Sequence, residues 1–145
     1  MDELDIVIRL GMAALIGGII GIERELHGKA AGLRTHCLVS IGSALFVLVS
    51  IEIFHTYQSV ATVDPSRVAA QVVTGIGFLG AGTIIRSQAG GVQGLTTAAG
   101  LWTVSGIGMA CGLGFYTAAL IATVITLVVL VIFSWVGRRL GGRDV

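Results

Sequence analysis

Residues 64–85 constrain the fold of this chain more than any other stretch. Asp64 and Pro65 open it, the first suited to capping a helix and the second to a first turn, where no backbone donor is needed. After Arg67 come about 18 residues without a charge, the length of a helix that crosses a bilayer. Gly75, Gly77, Gly80 and Gly82 crowd the second half of this segment. In water that glycine density would cost about 1 kcal/mol per residue relative to alanine. In lipid a stripe without side chains lets another helix approach closely. Gln71, one turn inside, needs hydrogen-bond partners from protein, because lipid offers none.

The rest of the chain agrees that lipid is the solvent. Of its 145 residues 54% are hydrophobic and 12% charged, with a mean hydropathy of +0.95. Soluble domains carry about 25% charged residues, and so short a chain has no core able to absorb this much apolar surface. Five helices are expected, at about residues 4–22, 37–54, 68–85, 95–113 and 115–136. Spans of roughly 20 residues then use about two thirds of the chain. One domain over residues 1–145 follows, with no linker or soluble unit. The acidic start (Asp2, Glu3, Asp5) and the lack of a small-residue cleavage site argue against a cleaved leader.

Basic residues set the expected orientation. Seven of the nine lysines and arginines (Arg24, Lys29, Arg34, Arg86, Arg138, Arg139 and Arg143) fall on one side of a five-span chain. Arg67 falls on the other and Arg9 within the first span. The positive-inside rule then puts the N-terminus outside and the C-terminus in the cytoplasm. Cys37 and Cys111 would lie at opposite surfaces, so no bond between them is expected.

Polar residues gather in two expected places. At the inner surface are Glu23, Arg24, Glu25, His27, Arg34, Thr35, His36 and Arg86, with Thr96 and Thr97 just inside the fourth helix. Such charges commonly anchor helix ends in the headgroups. The alternative is an anion site or a protein dock, with Glu23 paired to Arg34 across the loop. At the outer surface Asp64, Arg67 and Gln71 share one face of the third helix. Asp64 reads as an N-cap, and Gln71 as either a structural bridge or part of a polar pocket. Asp5 and Arg9, four apart, can neutralise each other. Small residues recur at helix-packing spacing: Gly17/Gly21, Gly77/Ala81, Gly106/Ala110 and Gly108/Gly112. The same stripes are open to a second reading as a glycine-lined ion path.

Enzymatic signatures are lacking. There is no paired-Cys or HExxH metal motif, no Walker loop and no GxSxG, and no base stands visibly beside a nucleophile. No carboxylate lies near the expected midplane, whereas magnesium would want oxygen ligands. A non-catalytic protein without cofactor is expected; whether it holds a metal is left open.

Four ordered motifs resemble the MgtC/SapB family. They are Gly21-Ile22-Glu23-Arg24-Glu25; Ala31-Gly32-Leu33-Arg34-Thr35; the long run from Asp64 to Gly82; and Gly94-Leu95-Thr96-Thr97 with Leu101-Trp102. The resemblance implies a bacterial inner-membrane protein with several spans. It also implies a link to low-magnesium adaptation and to survival of pathogens inside macrophages. Members were first labelled magnesium transporters, and the resemblance now suggests regulators of membrane partners, including the F-type ATP synthase. Thr96 stands where the family commonly has Asn, and Thr103 where Cys often follows Leu-Trp. Many members add a cytoplasmic ACT-like domain, and the SapB-like form without it is the expectation here. The motif match carries over Glu23, Arg24, Arg34, Thr35, Asp64, Arg67, Gln71, Arg86, Thr96 and Thr97.

The expected molecule is therefore an all-α bundle of five transmembrane helices with the glycine-rich third helix at its centre. Its expected partners are the lipid bilayer and another membrane protein or a second copy of itself, not nucleic acid. A regulator acting by helix contact is the leading expectation, and a small ion carrier or channel lined by Gln71, Thr74 and glycine carbonyls the alternative.

Overall fold

The computed structural model describes residues 1–86 and 91–139. Arg143 and the side chain of Arg138, both used in the charge argument, lie outside the described residues. Five helical rods make up most of the chain: α1 (Glu3–Leu26), α2 (Leu33–Tyr57), α3 (Ser66–Thr83), α4 (Leu95–Gly112) and a last rod. That rod is α5 (Tyr116–Val128), a wider π-type turn (Val129–Phe133) and α6 (Ser134–Arg139). A two-residue antiparallel ladder, β1 (Ile85–Arg86) with β2 (Val92–Gln93), joins α3 to α4.

The elements end where local chemistry stops them rather than where apolar residues run out. Helix α1 continues past the expected boundary through Glu23, Arg24 and Glu25. Acidic Glu3 and Asp5 at its start and Arg24 at its end complement the helix dipole. Helix α2 starts four residues earlier than expected, because the Glu25 carboxylate accepts a 2.8 Å bond from the Leu33 N–H. That bond satisfies one of the donors a helix start leaves unpaired. Helix α3 stops at Thr83, and Ile84 is already extended. There the ladder turns the chain back, with Gly94 at φ +90° pressed on the Thr83 carbonyl, where any side chain would collide.

The centre of the bundle is α4, not the glycine-rich α3. Helix α4 touches α1, α2, α3 and α5, whereas α3 packs chiefly on α4 and α2 among the described residues. Close approach is made by other glycines. A Cβ on Gly17 would lie 2.7 Å from Ser40 Cβ, and one on Gly21 2.7 Å from the Leu33 Cα. Gly108 sits on the Ser40 backbone and Gly112 on that of Ala44, so α2 and α4 run side by side in one direction. The Gly17/Gly21 and Gly108/Gly112 spacings are thus the seams of α1–α2 and α2–α4. By contrast Gly75, Gly77, Gly82 and Gly106 have no neighbour within 4 Å, and Gly80 only meets Ala98 at ordinary contact distance.

The surface is apolar and the interior partly polar, the reverse of a soluble protein. Leu4, Leu15, Ile22, Leu38, Phe46, Phe78 and Ile121 are exposed, while Ser40, Ser43, Ser50, Thr97, Ser105 and Thr123 are buried. Such an apolar coat marks contact with a membrane. Glu3–Leu26, Leu33–Tyr57 and Tyr116–Val136 are each long and apolar enough to cross one. Helices α3 and α4, diluted by glycine and by polar residues such as Gln71 and Ser105, are not among those three.

Candidate functional site

The inner cluster expected from the sequence divides in two. Glu23, Arg24, His36 and Thr97 are buried; Arg34, Thr35, Arg86 and Thr96 are exposed. Glu23 does not pair with Arg34. It takes Arg24 instead, its sequence neighbour, with Nε donating to Oε2 at 2.7 Å and Nη2 to Oε1 at 3.3 Å. Its other contact is His27, whose Nδ1 lies 3.1 Å from Oε1. The pairing follows from depth. Arg24 is only 2% exposed and needs a counter-charge beside it, while Arg34 reaches solvent on the far face of α2.

His36 belongs to this site more firmly than the residues carried over by motif. It is wholly buried, and its Nδ1 lies 3.0 Å from the Gly32 carbonyl. Its Nε2 faces bare backbone at Gly100. Three buried polar atoms meet no protein partner among the described residues: Arg24 Nη1, His36 Nε2 and Ser40 Oγ. One helix turn beyond Ser40's level, Ser43 and Ser105 exchange a 2.9 Å bond between α2 and α4. The signal for this stripe was present as His36, Ser40 and Ser43, spaced to share one face of an otherwise apolar helix.

The outer triad is not assembled. The Asp64 carboxylate accepts from the backbone N–H of Ser66 at 2.8 Å and from its hydroxyl at 2.6 Å. Those bonds, the hydroxyl's first, hold the carboxyl below the usual carboxylate range. Asp64 thus shapes the start of α3, as a capping residue should, and Ser50 clips the same start by bonding the Pro65 carbonyl. Arg67 and Gln71 are exposed, and Gln71 finds no partner in the bundle among the described residues.

Asp5 and Arg9 form a structural pin. Arg9 Nε and Nη2 hold the Asp5 carboxylate at 3.0 and 2.9 Å, and Nη1 donates to the Gly112 carbonyl at 2.8 Å. The guanidinium also lies over Gly114, whose φ of +76° turns the chain from α4 into α5. A cation there satisfies an orphan carbonyl at the end of α4 and faces its negative pole.

Two grooves flank α3. One, of about 480 Å³, lies between α2 and α3, walled by Leu38, Gly42, Phe46, Gln71, Gly75 and Leu79 among others. The other, of about 310 Å³, lies between α3, α4 and α5 and is bordered by Val73, Trp102, Gly106 and Ala118. Among the described residues no group of three or more His, Cys, Asp or Glu is placed to hold a metal ion. Cys37 and Cys111 are both unbonded to one another.

The sequence profile of the MgtC family matches residues 10–139. The chain belongs to the MgtC family. It is 50% identical to the Escherichia coli protein named putative magnesium transporter YhiD, over 97% of this chain and 66% of that protein. It is 39% identical to Protein SapB of Bacillus subtilis, over 94% of this chain and 60% of SapB. Against Protein MgtC of Salmonella typhimurium it is 43% identical, over 92% of this chain and 54% of MgtC. The chain thus spans between half and two thirds of the length of these relatives, SapB included. No solved structure matches it. Family membership, together with three apolar helices of spanning length, makes it a helical membrane protein.

Proposed function

We propose that this chain is a non-catalytic regulator in the bacterial inner membrane, linked to magnesium limitation and acting by helix contact with a membrane partner. Five spans, with the N-terminus outside and the C-terminus in the cytoplasm, are part of the same proposal. The observation that carries it is the outward face of α3. Gln71, Gly75, Phe78 and Gly82, spaced by four, three and four, share one face of α3. Gly75 and Gly82 pack on nothing among the described residues, Phe78 between them is 81% exposed, and the Gln71 amide has no partner among the described residues. In a membrane a bare stripe with an unsatisfied amide suits a second helix better than acyl chains. The magnesium link rests on the name of the Escherichia coli relative and on the family resemblance.

The test uses Gly82→Leu, one turn from Phe78, which enlarges the exposed face without touching the chain's own core. Cysteine cross-linking from Phe78→Cys in native membranes reads the contact. Loss of the cross-linked species in the Leu variant is expected, with unchanged folding. Unchanged cross-linking and oligomer size would sink the regulator reading.

A second reading, a small magnesium carrier, draws on the name of the same relative. Gln71 and Gly75 do border the groove between α2 and α3, but most of its wall is hydrocarbon and Thr74 is not on it. Magnesium sheds water reluctantly and seeks oxygen ligands, so this wall suits it poorly. Magnesium flux into proteoliposomes that is lost on Gln71→Ala would reverse the order of the two readings.

A further inference from the structure

We propose that the junction of α1, α2 and α4 holds a water site between Arg24 Nη1 and His36 Nε2, beside Gly100. Both nitrogens are buried and neither meets a protein partner among the described residues. Leaving such groups bare is costly, and buried polar atoms in proteins are satisfied by protein or by ordered water. The two belong to one neighbourhood. His36 lies where α2 crosses α1 at Gly17, a Cβ there standing 2.8 Å from the His36 carbonyl. Arg24 is two turns along that same face of α1, whose long side chains lean back toward its N-terminus.

The chemistry of the pair selects the ligand. The Gly32 carbonyl at 3.0 Å from His36 Nδ1 only accepts, so Nδ1 carries the proton. Nε2 is then left with a lone pair and needs a donor. Arg24 Nη1 only donates and needs an acceptor. The ligand must therefore accept from one nitrogen and donate to the other. An anion satisfies Arg24 but gives nothing to Nε2. A cation is repelled by the guanidinium, whose counter-charge Glu23 is already engaged with Arg24 and His27. Water does both, and the hydroxyl of buried Thr97 on α4 adds polarity at the same end.

Gly100 supplies the room. A Cβ there would stand 3.7 Å from Nε2, so the nitrogen faces backbone and not a side chain. Glu23 and the half-exposed His27 lead from this site toward the surface, which gives water a polar route in.

The experiment is water-edited solid-state NMR of the full chain, labelled with ¹⁵N-histidine, in lipid bilayers. His36 is assigned by the signal missing in His36→Gln. Expected are a protonated Nδ1, a bare Nε2, and rapid magnetisation transfer from water to the His36 ring. The transfer should be lost in Gly100→Ala, whose methyl sits at ordinary contact distance and leaves the helices in place. Transfer to His27 should persist in that variant. A dry His36 ring in the unaltered protein overturns the proposal without any variant. So does a protonated Nε2 whose shift follows chloride concentration, which would mean an anion. Unchanged transfer in Gly100→Ala overturns the placement beside Gly100.

Discussion

At the scale of single residues, the polar groups that matter most hold helix ends together. Arg9 binds Asp5 and the last carbonyl of α4 while covering the turn at Gly114. Arg9→Ala should therefore lower stability by about 1–3 kcal/mol, the range for a charged hydrogen bond with a carbonyl left behind. Denaturant titration in detergent measures this. Asp64 gives a pH dependence of known sign. Its carboxyl is held below the usual range by the Ser66 hydroxyl and N–H, so folding is favoured by the ionised form. That contribution is complete above the ordinary Asp pKa and disappears as pH falls through the lowered one. Fraying of the first turn of α3 should thus appear only in acid, and Asp64→Asn should remove the acid step. Hydrogen exchange at Arg67 and Val68 across that range checks it.

At the scale of elements, the same sequence pattern serves opposite purposes. Gly108 is pressed on Ser40 and Gly75 faces a groove, although both lie in glycine-dense helices. Gly108→Ala should then cost about 1–3 kcal/mol through overpacking, while Gly75→Ala should leave stability near that of the parent or raise it. Thermal unfolding of the two variants side by side tests the contrast. The number of helices and the α4–α5 joint were legible in the sequence because the apolar runs and the Gly112–Gly114 break are local signals. Which glycine stripe faces inward was not, since spacing records a face and not its neighbour. The Glu23–Arg24 pair was hidden for a related reason. Adjacent residues leave a helix in divergent directions, and only burial of both forces their side chains together. The extension of α1 to Leu26 and the early start of α2 were also hidden, because charges such as Glu25 read as loop until one sees them capping a helix.

At the scale of the whole molecule, orientation and span number set the remaining prediction. With Cys37 and Cys111 replaced by alanine, Ser59→Cys should react with an impermeant maleimide in intact cells. Lys29→Cys should react only after permeabilisation. The reverse pattern would invert the topology, and labelling of both from outside would reduce the number of spans. His36, Ser40 and the Ser43–Ser105 bond place a polar seam through the region where α1, α2 and α4 meet, and that seam was not read as a unit from composition. Its Ser43–Ser105 end borders the grooves beside α3. Helix α3 is fastened at one end by Ser50 on Pro65 and at the other by the Ile85–Arg86 ladder, with a groove along each flank. With Ile76 buried and Gly80 resting on Ala98, the rod is also moored along its inner side, so its free edge is a quay: a visitor comes alongside it without the rod having to move.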